Sequence, residues 1–106
     1  MEFSVAMLCP SFHCPDFHTL RQLILTTLCE HEQFEPDAFP LTAQSLIRQG
    51  KVCGLFFCLH GPRSVRITAI WESAANVVYC YGANGERFAT LQLASTPVVS
   101  SLPQAA

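Results

Sequence analysis

Three turn signals between Lys51 and Leu93 constrain most strongly what this chain can fold into. Gly61-Pro62, Ser73–Asn76 and Asn84-Gly85 punctuate a run rich in β-branched and aromatic residues. They divide it into four short strands: Cys53–His60, Ser64–Glu72, Val77–Tyr81 and Phe88–Leu93. Asn84-Gly85 is the clearest hairpin signal, because both residues tolerate the positive φ of a type I′ turn. Tight turns set a register, and the register sorts alternate side chains onto two sheet faces.

With Asn84-Gly85 as turn centre, Tyr81 is expected opposite Phe88 and Tyr79 opposite Thr90. A short loop around Ala74-Ala75 sets Glu72 against Val77 and Ile70 against Tyr79. Gly61-Pro62 as a two-residue loop sets Phe57 against Arg66. One face then carries Phe56, Cys58, Val65, Ile67, Ala69, Trp71, Val78, Cys80, Ala89 and Leu91. The other carries Leu55, Phe57, Leu59, Arg66, Thr68, Ile70, Glu72, Val77, Tyr79, Tyr81, Phe88, Thr90 and Gln92. The first is uniformly apolar and is expected under a helix. A one-residue error at any turn would exchange the faces of the strands beyond it.

Asp16 precedes an apolar periodic run as a helix N-cap should. Leu20, Leu23, Ile24, Thr27, Leu28 and His31 share one helical face, which predicts a helix over about 17–33. Pro36 and Pro40 break the following connector. Thr42 is read as the cap of a second, short helix over Ala43–Gln49, with Gly50 as its C′ residue. The expected fold is α+β: a four-stranded antiparallel meander with one long and one short helix packed on one face. A chain of 106 residues makes one domain, with a core over about 16–93. The tail 94–106, free of charge and aromatic residues, is expected to be extended or poorly ordered.

Composition narrows the function classes. Half the residues are apolar and 13% are charged, about half the usual charged share. The net charge is −2, with a single lysine, which is no electrostatic footprint for nucleic acid. No run approaches about 20 apolar residues, so no membrane span is expected. Glu2 stands where an export signal needs positive charge, and the apolar run ends at Pro10. The expected compartment is the cytoplasm, with the six cysteines as reduced, structural thiols.

Candidate chemistry is sparse. Cys9, His13, Cys14 and His18 are soft ligands close in sequence, but the spacing matches no common zinc pattern. No metal or other cofactor is expected. Cys58 and His60 share a strand face with Arg63 nearby, a setting that can activate a thiol. Side chains two apart on a strand stand roughly 6.5–7 Å apart, beyond hydrogen-bond reach. Gly82–Gly85 joins two strands, whereas a phosphate cradle needs a following helix N-terminus. No nucleophile elbow, zinc-protease, P-loop or paired-carboxylate pattern is present, so no enzyme is predicted.

The strings GLFFCLHGPRSVRITAIW (Gly54–Trp71) and YGANGERF (Tyr81–Phe88) resemble small bacterial proteins with no assigned activity. The resemblance covers about half the chain and brings no catalytic residues. It implies a compact, independently folding cytoplasmic domain.

The mixed face is the functional lead, through Arg66, Thr68, Glu72, Tyr79, Tyr81 and Phe88. A solvated antiparallel face reads polar throughout, and this one does not. Three uses fit it. The N-terminal segment, with Phe3, Val5, Met7, Leu8 and Phe12, could fold across it. A second copy of the chain could pack on it, as homodimers commonly do on aromatic-rich patches. A small ligand could be oriented there by Arg66, Tyr79 and Tyr81. The expected function is a non-catalytic interaction module, dimeric through this face, with the small-ligand protein as alternative.

Overall fold

The computed structural model describes residues 11–14, 16–94 and 96–97. One helix, α1 (Phe17–Glu32), lies against one face of a six-stranded sheet. The strands are β1 (Ser11–Phe12), β2 (Leu41–Arg48), β3 (Lys51–His60), β4 (Arg66–Glu72), β5 (Val77–Tyr81) and β6 (Arg87–Leu93). Their order across the sheet is β1-β6-β5-β4-β3-β2. β2 to β6 form an antiparallel meander, and the two-residue β1 adds a parallel edge to β6. No helix among the described residues is long and apolar enough to cross a membrane.

α1 begins as its sequence signals. Asp16 is extended, and its carboxylate accepts a hydrogen bond from the Thr19 N–H at 2.9 Å, satisfying one of the donors that a helix start leaves unpaired. That bond holds the Asp16 carboxyl below its usual range. Gln33 ends the helix in the left-handed region, and Phe34 N–H returns to the Cys29 carbonyl. The buried stripe is Leu20, Ile24, Leu25, Leu28 and Cys29. It is rotated slightly from the expected one: Leu23 and Thr27 sit at its margin, and His31 is exposed.

The segment expected as a short helix over Ala43–Gln49 is instead strand β2. Gln49 and Gly50 both have positive φ, 54° and 79°, so they form the two-residue turn of a β2–β3 hairpin. Gly50 therefore turns the chain rather than stopping a helix. Leu41 and Ser45 point into the core with Ala43 half-buried between them, the period of two that a strand requires. The hairpin pairs Leu41 with Leu59 and Gln44 with Phe56.

The loop between β3 and β4 is longer than two residues. Gly61–Val65 closes through Gly61 N–H to the Val65 carbonyl at 2.8 Å, with Arg63 and Ser64 both left-handed. His60 thus pairs with Arg66, and Phe57 lies opposite Ala69 rather than Arg66. The difference of three residues is odd, so β3 is inverted from the expected register. Leu55, Phe57 and Leu59 face α1, while Phe56 and Cys58 face away. Val65 lies in the loop.

Beyond β4 the expected pairings hold through Tyr79, with Glu72 opposite Val77 and Ile70 opposite Tyr79. The Asn84-Gly85 hairpin exists with a different turn. Gly85 N–H donates to the Gly82 carbonyl, so Ala83-Asn84 is the centre, and Gly85 takes positive φ. Tyr81 pairs with Arg87, and Cys80 pairs with Ala89, leaving Phe88 as a bulge. Phe88 therefore leaves the mixed face and stacks on His31 of α1, ring centroids 3.6 Å apart.

The core lies between α1 and Leu55, Phe57, Leu59, Ile67, Ala69, Trp71, Val78, Cys80 and Leu93. The five cysteines described, Cys14, Cys29, Cys53, Cys58 and Cys80, are free thiols; Cys9 lies outside the described residues. Burial pushes the Cys80 thiol up to about 12, which keeps it protonated and inert.

Candidate interaction surface

The helix covers one face of the sheet, and among the described residues no element lies across the other. Alternation places Arg66, Thr68, Ile70 and Glu72 of β4 on this open face, because Ile67, Ala69 and Trp71 point into the core. The same rule places Tyr79 and Tyr81 there, opposite Val78 and Cys80. Five of the six expected site residues thus share a face, and Phe88 does not.

The face has polar groups at both ends of the strands and an apolar middle. At one end His60 pairs with Arg66, and the His60 ring lies 3.0 Å from the Thr42 hydroxyl. The next row runs Thr42, Cys58, Thr68, Tyr81. Cys58 is almost fully buried within it. Burial raises its thiol pKa and the nearby Arg66 pulls it partly back, so Cys58 remains protonated near neutral pH. The central row runs Gln44, Phe56, Ile70, Tyr79, Thr90. Phe56, Ile70 and Tyr79 are half-buried neighbours on adjacent strands, an apolar patch at the middle of the face. Arg87 lays its guanidinium over the Tyr79 ring, 5.3 Å from the centroid.

The last row runs Leu46, Gly54, Glu72, Val77, Gln92. Beside Gly54 the face sinks into a hollow of about 280 Å³, lined in part by Leu46, Arg48, Ile70, Glu72, Ser73 and Tyr79. Gly54 is required by close approach: an added Cβ would collide with the Trp71 carbonyl oxygen. Gly54→Ala should therefore separate β3 from β4 locally and cost about 1–3 kcal/mol, as overpacking does. Denaturant titration checks this, and an unshifted midpoint would show that the two strands have room between them.

Phe56, Leu46, Gly54 and Arg87 were not among the residues expected at the site. The missed signals were the Gln49-Gly50 turn, which defines β2, and the length of the Gly61–Val65 loop, which sets the parity of β3. Of the segment expected to cover the face, Phe12 packs on the helix side of the sheet, and Phe3, Val5, Met7 and Leu8 lie outside the described residues.

The N-terminal cluster of soft ligands divides. Cys14 is buried, with its thiol pushed up by burial and then by Asp16, whereas His13 and His18 are exposed. Cys9 lies outside the described residues. Among the described residues no group of three or more His, Cys, Asp or Glu is placed to hold a metal ion.

Comparison with protein-family models, with curated proteins and with solved structures gives no match to this chain.

Proposed function

We propose that the protein is a non-catalytic interaction module that pairs with a second copy of itself through the open face of its sheet. One observation carries the reading: Phe56, Ile70 and Tyr79 form a continuous apolar patch at the centre of a face that α1 leaves uncovered. An apolar patch rimmed by polar groups has the anatomy of an interface core and rim. Five antiparallel strands about 4.8 Å apart and about 20 Å long span roughly 500 Å², so two such faces in contact bury about 1,000 Å², the lower end of the range for specific protein contacts. A chain with 13% charged residues has little else to keep such a face solvated. The Cys58 thiol on this face is raised by burial, which disfavours its nucleophilic thiolate and is in keeping with this reading.

The hollow beside Gly54 favours a second reading, a small ligand held against Tyr79 between Arg48 and Glu72. Arg66, expected to orient such a ligand, stands at the other end of β4.

Analytical ultracentrifugation tests the proposal. The wild type should sediment as a dimer at high micromolar concentration. Tyr79→Glu replaces the ring at the centre of the contact with a carboxylate beside Arg87, and packing the copy there would desolvate both charges. This variant should sediment as a monomer with an unchanged circular dichroism spectrum. A wild type that is monomeric throughout this range would overturn the reading.

A further inference from the structure

We infer that the second copy lies antiparallel across the open face, with Arg66 of each copy seated in the hollow of the other against Glu72. The inference rests on the self-association reading and adds its geometry.

β4 is the middle strand of the five-stranded antiparallel meander, with β6 and β5 on one side and β3 and β2 on the other. A contact centred on the meander therefore stacks β4 on its own copy. In aligned sheet packing the strands of the two sheets stay within about 30° of each other. A two-fold contact then has two choices, with the axis lying either along the strands or across them. An axis along the strands sets like ends together. With β4 stacked on its copy, that choice lays Arg66 over Arg66 and Glu72 over Glu72.

An axis across the strands opposes unlike ends. Ala69 is the central residue of β4, three positions from Arg66 and three from Glu72. An axis passing there lays Arg66 over Glu72 of the copy, and Glu72 under Arg66 of the copy. It also sets Thr68 over Ile70, which keeps the apolar patches of the two copies adjoining. Arg66 and Glu72 are about 20 Å apart along one strand, too far to pair within a protomer. Both are exposed, and among the described residues neither has an ion-pair partner.

The shapes agree with the charges. Arg66 projects from an exposed strand end, and the Glu72 end of the face carries the hollow of about 280 Å³. Arg48 also lines that hollow, on its β2 side, so the entering guanidinium is directed to the β4 side, where Ile70 and Glu72 stand, with Tyr79 on β5. An arginine entering from the copy can lay its methylene stem along Ile70 and direct its planar fork to the carboxylate. A bidentate arginine–carboxylate pair withdrawn from water is the kind of contact that also fixes register.

Charge exchange tests the arrangement. Arg66→Glu and Glu72→Arg each place like charges together twice per dimer. Each should raise the dimer dissociation constant at least about tenfold, within the coupling range of close interfacial charge pairs. Mixing the two single variants creates a heterodimer in which both pairs are again opposite in sign, so sedimentation should recover a dimer near the wild-type constant. The double variant Arg66→Glu/Glu72→Arg should recover it alone. If the single variants dimerise like the wild type, or if mixing recovers nothing while Tyr79→Glu still yields a monomer, the antiparallel arrangement is wrong and the face reading stands. A monomeric wild type removes both.

Discussion

Trp71→Ala should lower the unfolding free energy by about 3–5 kcal/mol, the usual cost of truncating a buried aromatic. The indole is 3% exposed and points from β4 toward α1. Its register neighbours are Leu55 on β3 and Val78 on β5, both fully buried. The neighbouring strands are tied in register on both sides, so the space left by the ring cannot close. A polar loss adds to the cavity. The indole N–H donates to the Asn76 side-chain carbonyl at 2.9 Å, and Asn76 in turn reaches the Leu93 carbonyl. Removing the donor leaves a partly buried acceptor unpaired at the β4–β5 turn. Small domains hold about 5–15 kcal/mol in total, so a large share of the fold's stability is at stake. The urea midpoint should fall steeply with little change in slope. Trp71→Phe keeps a ring in the space and loses the hydrogen bond, so it should cost less. A midpoint unchanged in Trp71→Ala would place the indole outside the core.

The placement of Trp71 was legible in the sequence because two short-range signals agree on it. The four-residue connection Ser73–Asn76 allows one register between β4 and β5, and the alternation in β4 is clean. The helix was equally legible, since the Asp16 cap and a strong period both act within the segment. The elements that were not legible depend on longer-range geometry. β2 carries Leu, Ala, Ser and Ile at positions that suit either a short helix or an edge strand. Only its pairing with β3 decides between them, because the ladder satisfies backbone groups on one whole side of the segment. The Gly61-Pro62 signal marks a turn correctly but not its length. Arg63 and Ser64 take left-handed conformations that their side chains do not advertise, and the added residues reverse the parity of β3. At Asn84-Gly85 the turn type likewise differs, and the bulge that follows removes Phe88 from the open face while leaving Tyr79 and Tyr81 on it. The open-face residues carried by β4 and β5 could thus be read, and those carried by β2 and β3 could not.

Phe57 is the residue whose fate turns most on that parity. In the shorter-loop register it would stand on the open face, and its removal would weaken association. In the structure it is fully buried beneath α1 and stacks on Phe17, with ring centroids 6.0 Å apart. Its row across the sheet is Ala43, Phe57, Ala69, Cys80 and Ala89. Phe57 is the one large side chain in a row of small ones, so its ring fills space that its neighbours leave open under the helix. The rows on either side carry Leu55, Trp71 and Val78, and Leu59 and Ile67, all buried. Those residues hold α1 at its distance, and the helix cannot settle into the gap. Phe57→Ala should therefore cost about 3–5 kcal/mol, at the level set by a cavity that does not collapse. Dimer dissociation measured on the folded fraction should remain at the wild-type value. Phe56→Ala is the matched control, one residue away and on the opposite face: it should weaken the dimer with a much smaller loss of stability. The reverse pattern, with Phe57→Ala stable but monomeric and Phe56→Ala unfolded, would restore the two-residue loop and exchange the two faces of β3.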